Sequence, residues 1–209
     1  MPKKDITAHQ RARRWRDGLA AINAAGAAND IPDILDIHGK KLDLDMVSYG
    51  GLRDTTAIDA AVFAGKPYSD RDDLELVFAP GLQLRVAIER AVDALNSAEA
   101  AEYLGAVTAY ASLFGIDMTD YGRLSEDGKD NVHDTVFAGI PYVDEVAVKT
   151  AVDNAIATEI TAEAVAAVNA AESADEMGDA LLAYADVLAL LIGPGSDYAA
   201  LEAAGQAAV

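Results

Sequence analysis

Ala21-Ile22-Asn23-Ala24-Ala25, Ala94-Leu95-Asn96-Ser97-Ala98 and Ala167-Val168-Asn169-Ala170-Ala171 are one pattern written three times, with 73 residues from each Asn to the next. A second echo runs beside it. Val62-Phe63-Ala64-Gly65-Lys66-Pro67-Tyr68 returns as Val136-Phe137-Ala138-Gly139-Ile140-Pro141-Tyr142, 74 residues later. Recurrence at this period marks a string of similar packing units, each burying its apolar face against the next part of the chain. Such units serve more often as scaffolds than as active sites.

Each unit reads as three helices. After Asn96, the residues Tyr103, Val107, Tyr110 and Phe114 follow at spacings of four, three and four, one face of a first helix. Met177, Leu181, Tyr184 and Leu188 repeat that face, behind a capping-box pattern at Ser173-Ala174-Asp175-Glu176. Gly115 and Gly193 stop these helices. Connectors follow at Leu44-Asp45-Met46-Val47-Ser48-Tyr49, Ile116-Asp117-Met118-Thr119-Asp120-Tyr121 and Pro194-Gly195-Ser196-Asp197-Tyr198, whose aspartates and hydroxyls suit caps and whose tyrosines suit the joints between helices. A second helix carries Ile58 and Val62, or Val132 and Val136. It ends at Ala-Gly-x-Pro-Tyr, where a left-handed glycine and the proline are expected to stop it.

The third helix starts at the N-caps Asp70 and Asp144, and in the second unit bears Val146, Val152, Ile156, Ile160, Val165 and Val168. In the first unit, Pro80-Gly81 predicts a break. That unit is also irregular at its start, where Ile31 to Leu35 is a short helix and Gly39-Lys40-Lys41 reads as a loop or small hairpin with minor strand content. The expected architecture is therefore all-α: tandem three-helix repeat units stacked in an elongated helical array, with the third unit truncated. Its parts are a basic arm (1–16), unit one (17–95), unit two (96–168) and a partial unit three (169–209). The last part ends as its second helix should begin, which leaves an apolar face around Leu201 and Val209 for a tail or a partner to cover.

Composition fits that reading. Hydrophobic residues make up 52% of 209, enough for a sizeable core, yet aromatics are only 6%, so alanine dominates and favours close-packed helices. Without cysteine, the chain forms no disulfide and offers no thiolate. No apolar run approaches the roughly 18 residues of a membrane span. Met1 to His9 has no apolar stretch behind its lysines, so no secretory leader is expected and the cytoplasm is the default compartment. Charge is polarised: residues 1–16 hold six basic groups against one acid, net +5, while the other 193 hold 10 basic and 34 acidic groups, net −24. The acidic body repels nucleic acid, and its charge promotes solubility.

No pattern for catalysis emerges. His9, His38 and His133 lie far apart, and no phosphate-binding loop, nucleophile elbow or dinucleotide fingerprint occurs. His133 beside Asp134 reads as a solvated helix face, because sequence neighbours on a helix point apart. Asp70-Arg71-Asp72-Asp73 lacks the ligand ladder of a calcium loop. The reading is a non-enzyme with no metal and no cofactor. One segment stands out, Ala8-His9-Gln10-Arg11-Ala12-Arg13-Arg14-Trp15-Arg16, where arginines surround the only tryptophan. As a helix it places Arg11, Trp15 and Leu19 on one face, which lets Trp15 staple the arm to unit one. The sharper reading puts Trp15 and the arginines in a partner's groove, since Trp and Arg dominate interface hot spots.

The order Ala-[Leu/Ile/Val]-Asn-[Ala/Ser]-Ala, amphipathic helix, Asp- and Tyr-bearing connector, Ala-Gly-x-Pro-Tyr and long Ala-rich helix resembles the Ala-rich three-helix repeats of bacterial surface proteins and tailed-bacteriophage structural proteins, over about residues 20–209. The resemblance implies a non-catalytic assembly or attachment module and carries over no active-site residue. The expectation is a virion component, a capsid-decorating or head–tail accessory subunit located in the virion; the alternative is a cytosolic helical adaptor or regulator. Its partners would be protein subunits of capsid, tail or self. The partner-binding candidates are Lys3, Lys4, Arg11, Arg13, Arg14, Trp15 and Arg16 in the arm, with Leu201 and Val209 at the other end. Nucleic acid is disfavoured everywhere but the arm.

Overall fold

The computed structural model describes residues 8–189, with side chains from residue 12 onward. Among them it is all-helical. The order is α1 (Ala8–Ala24), α2 (Ile31–His38), α3 (Met46–Gly50), α4 (Thr56–Ala64), α5 (Arg71–Ser97), α6 (Ala100–Phe114), α7 (Thr119–Arg123), α8 (Glu126–Phe137), α9 (Glu145–Ala170) and α10 (Ala174–Ala183). The backbone divides between Ala91 and Val92 into two compact units.

In the first unit, α1 contributes Leu19 and Ile22, α2 contributes Ile31 and Leu35, and α4 contributes Ile58 and Val62 to one core. Leu74, Phe78 and Leu82 of α5 join them, at steps of four that keep a single face inward. The break expected at Pro80-Gly81 does not occur, and α5 runs through Pro80. Pro80 and Leu76 are both exposed, so the carbonyl that loses its helix bond lies on the solvent side of the helix, where leaving it without an amide partner costs little. Burial of the opposite face holds the helix together. Gly39-Lys40-Lys41 is not a hairpin either. It is a 3-10 turn, Gly39–Leu42, ended by Asp43 in the left-handed region, and no strand occurs among the described residues.

In the second unit, Tyr103, Val107 and Phe114 of α6 are buried as the spacing required, with Ala111 taking the inward place given to Tyr110. Gly115 at φ +65° ends the helix in the left-handed conformation that favours glycine. Ser125 caps α8 by accepting from the Gly128 amide at 3.0 Å, and Asp144 caps α9 by accepting from Ala147 at 2.8 Å. The inward face of α9 is Val148, Val152, Ile156, Ile160 and Ala164. Val146 and Val165, assigned to that face from the sequence, point outward instead. Steps of four from Val148 miss both, and alanines supply core contacts that a search for large side chains overlooks.

The α10 face of Met177, Leu181 and Tyr184, continued by Leu188, is half-buried throughout. Ser173 accepts from the Glu176 amide at 3.2 Å, as a capping serine does. The Glu176 carboxylate reaches the Glu172 amide at 2.8 Å, one residue before the position a capping box requires. Gly193 and the connector that follows it lie outside the described residues.

If Pro80 is tolerated only because the opposite face is buried, Pro80→Ala should raise stability by about 1–3 kcal/mol, by restoring a helix amide. Urea unfolding followed by circular dichroism would show the midpoint rise with an unchanged slope.

Candidate functional site

The recurring asparagines perform the same task in both units. The Asn23 side chain sits at the end of α1 and faces the backbone of Tyr68. Its Oδ1 accepts from the Tyr68 amide at 2.8 Å, and its Nδ2 donates to the Tyr68 carbonyl at 2.9 Å. Asn96, at the end of α5, holds Tyr142 through the same two bonds at 2.8 Å each. A carboxamide carries a donor and an acceptor side by side on one planar group, so it pairs with both backbone polar groups of a single residue. The clamp closes a separation of 45 residues in the first unit and 46 in the second.

The clamped tyrosine then folds back on the helix that precedes it. The Tyr68 hydroxyl donates to the Val62 carbonyl at 2.8 Å, and the Tyr142 hydroxyl donates to the Val136 carbonyl. These carbonyls belong to the last turns of α4 and α8, where helix acceptors run out of partners. The glycine two residues before each proline is required by this packing. Gly65 has φ −74°, and Gly139 likewise avoids the left-handed region expected of it. A Cβ at Gly65 would strike the Tyr68 hydroxyl, and one at Gly139 would strike that of Tyr142. The Lys66–Pro67 and Ile140–Pro141 bonds are both cis.

The repeats diverge at one buried polar position. Asp59 of α4 and His133 of α8 share the 74-residue register. Asp59 is buried and accepts from the Tyr49 hydroxyl and from Thr55 Oγ1, both at 2.7 Å. Burial first, and the Asp59 carboxylate with it, pushes the Tyr49 phenol well above its ordinary range. His133 is not the solvated residue that its place beside Asp134 suggested. Its side chain is 17% exposed, Nε2 donates to the Ala100 carbonyl at 2.8 Å, and Nδ1 lies 3.1 Å from Asp134 Oδ1. The ring stacks on Phe137 and meets the edge of Tyr103. It acts as a tie between α8 and the start of α6.

The arm enters the described structure within α1. Trp15 packs half-buried against the first core, so the stapling role is met; its Nε1 is buried without a partner. Arg13, Arg14 and Arg16 are exposed. Trp15, Arg16, Asn23, Tyr68 and Arg71 line a groove of about 370 Å³, which places the arm's aromatic and one of its arginines beside the first clamp. Arg71 is committed elsewhere, donating through Nε to the Leu42 carbonyl at 3.1 Å and pairing with Glu75 at 2.9 Å. Arg11 lies on α1 with its side chain outside the description; Lys3, Lys4, Leu201 and Val209 lie outside the described residues altogether. Sequence reasoning missed Arg123, which pairs with Asp120 and Asp186 at 2.9 and 2.8 Å and donates to the Ala183 carbonyl, joining α7 to the end of α10. Among the described residues, no group of three metal-ligating side chains converges, and no helix is long and apolar enough to cross a membrane.

Compared with family models, curated proteins and solved structures, the chain matches none.

Asn96→Ala should cost about 2–3 kcal/mol by leaving both polar groups of Tyr142 without partners. Gly139→Ala should destabilise as well, and Tyr142→Phe should remove part of that penalty. Chemical denaturation of the single and double variants would show the coupling.

Alkali provides a separate check. The Tyr49, Tyr68 and Tyr142 phenols are all raised above 10.0, chiefly by burial. The unfolded chain therefore sheds these protons first, and stability present below about pH 10 is lost as pH rises further. Tyr49→Phe should flatten that decline in thermal melts taken between pH 8 and about 11.

Proposed function

We propose that this protein is a non-catalytic assembly module, a virion component of the capsid-decorating or head–tail accessory kind, that attaches to a neighbouring protein subunit through α1. One observation carries the reading. α1 is fixed to the first unit by Trp15 and Leu19 on one side while Arg13 and Arg14 face solvent on another. A helix anchored in this way presents its guanidinium groups with little orientational freedom to lose, which favours docking on an acidic surface. Its positive charge stands on a body of net charge −24, and that contrast orients an approaching partner. The resemblance of the repeats to phage structural proteins supplies the finer assignment.

A second reading, a helical adaptor that takes a partner helix, is favoured by a different groove. This one runs along α5, has a volume of about 360 Å³, and is floored by Phe78, Leu82 and Val86 with Glu75 and Arg90 at its rim.

Replacing both Arg13 and Arg14 with Glu should leave the circular dichroism spectrum intact, because neither side chain enters the core. It should abolish co-sedimentation of the protein with purified virions from the phage lysate. Retention of the variant on particles would remove α1 as the attachment site. A wild-type protein found free in lysate and absent from particles would overturn the virion assignment in favour of the adaptor.

A further inference from the structure

The outward face of α5 lacks the charge that dominates the rest of the chain. From Leu76 to Ile88 the one charged residue is Arg85, and it is turned inward at 9% exposure. Leu76, Ala79, Gln83, Ala87 and Arg90 follow at steps of three and four along the outer side, and Leu76 is 75% exposed. Val47, next to the groove-lining Ser48, is 85% exposed. Large apolar side chains held in water beside a groove mark an interaction surface. The groove of about 360 Å³ along this face also has unlike ends. Glu75 lines one end and Arg90 the other, about 22 Å apart along the helix at 1.5 Å per residue. Glu75 pairs with Arg71 at 2.9 Å, whereas Arg90 is exposed and forms no ion pair or hydrogen bond with another described residue.

We infer that this face of α5 docks a second copy of the chain, the two α5 helices lying antiparallel about a two-fold axis between Leu82 and Gln83. In that register the groove residues of α5 meet one another. Glu75 of each copy faces Arg90 of the other, which gives Arg90 its partner at both ends. Val86 lies against the small Ala79, and Ala87 is seated over the floor made by Phe78. The Gln83 carboxamides stand nearest the axis, where each can donate to the other and accept from it. A two-fold interface requires such a patch, one that is complementary to itself. A parallel pair would instead set Glu75 against Glu75 and Arg90 against Arg90. Charge order selects a second copy over an unrelated apolar helix, because α5 itself carries the matching charges at the matching spacing. The inference rests on the reading of this groove as a helix-binding site, supplies its occupant, and involves no α1 residue.

Sedimentation velocity on the full chain, from about 1 μM to about 1 mM, tests this. A contact of about four helix turns is at the small end of stable interfaces, so the dimer should form at roughly tens of micromolar. Ala87→Glu changes an exposed helix position and should leave the circular dichroism spectrum as it is. It should raise the dissociation constant by about tenfold or more, because it buries an unpaired carboxylate in the contact. Arg90→Glu and Glu75→Arg should each weaken dimerisation to a similar degree, since each sets like charges together at both ends. An equimolar mixture of those two variants should dimerise as the unaltered chain does, because each Glu then faces an Arg. A chain that stays monomeric throughout the range would overturn the proposal and leave the groove to a foreign helix. A dimer that Ala87→Glu leaves intact would overturn it as well, and so would failure of the mixture to pair.

Discussion

A carboxamide paired with both polar groups of one backbone residue is the constraint from which the rest of this structure follows. Asn23 and Asn96 each sit at the end of a long helix, where backbone groups lose their helical partners, and each holds a tyrosine 45 or 46 residues away. Closing such a loop costs several kcal/mol of chain entropy, so the contact persists only with support around it. The support is the tyrosine ring and the hydroxyl bond to the preceding helix. Asparagine, glycine, proline and tyrosine recur together because each secures the geometry the others need.

Around this clamp, polar side chains serve mainly to end and join helices. Asp45, Asp70, Ser125, Asp144 and Ser173 accept from first-turn amides, and hydrogen bonds from serine and threonine hold Asp45, Asp73 and Asp117 below the usual carboxylate range. Arg71 and Arg123 tie helix ends to neighbouring carbonyls. A chain with 35 acidic residues thus places many of them where the partial positive charge of a helix start stabilises them. On α1, by contrast, Arg13, Arg14 and Arg16 lie exposed close together.

Much of this was legible from spacing. The helical class, the cap at Asp144, the stop at Gly115 and the inward faces of α4 and α8 follow from period and punctuation, which are local properties. The roles that escaped were those decided by distant neighbours. Gly65 and Gly139 read as left-handed glycines, because helix ends usually need them so; a hydroxyl three residues on, folded back by a clamp, gives the true reason. His133 read as solvated because the carbonyl of Ala100 and the rings of Tyr103 and Phe137 are not its sequence neighbours. The candidate surfaces divide in the same way. Arg13 and Arg14 were visible as charge, whereas the groove that sets Trp15 beside the Asn23–Tyr68 clamp emerges only from the packing.

By itself the sequence determined the all-helical class, the repeating asparagine and Gly-x-Pro-Tyr patterns and the polarity of charge, since propensity, period and net charge are sums over local residues. Only the tertiary structure decided what those patterns do. It showed that Asn grips the backbone of the distant tyrosine, that Pro80 is carried within an unbroken helix, and that Trp15 is a staple on the first core. Each of these depends on which groups meet across tens of residues, where burial and hydrogen-bond satisfaction override local preference.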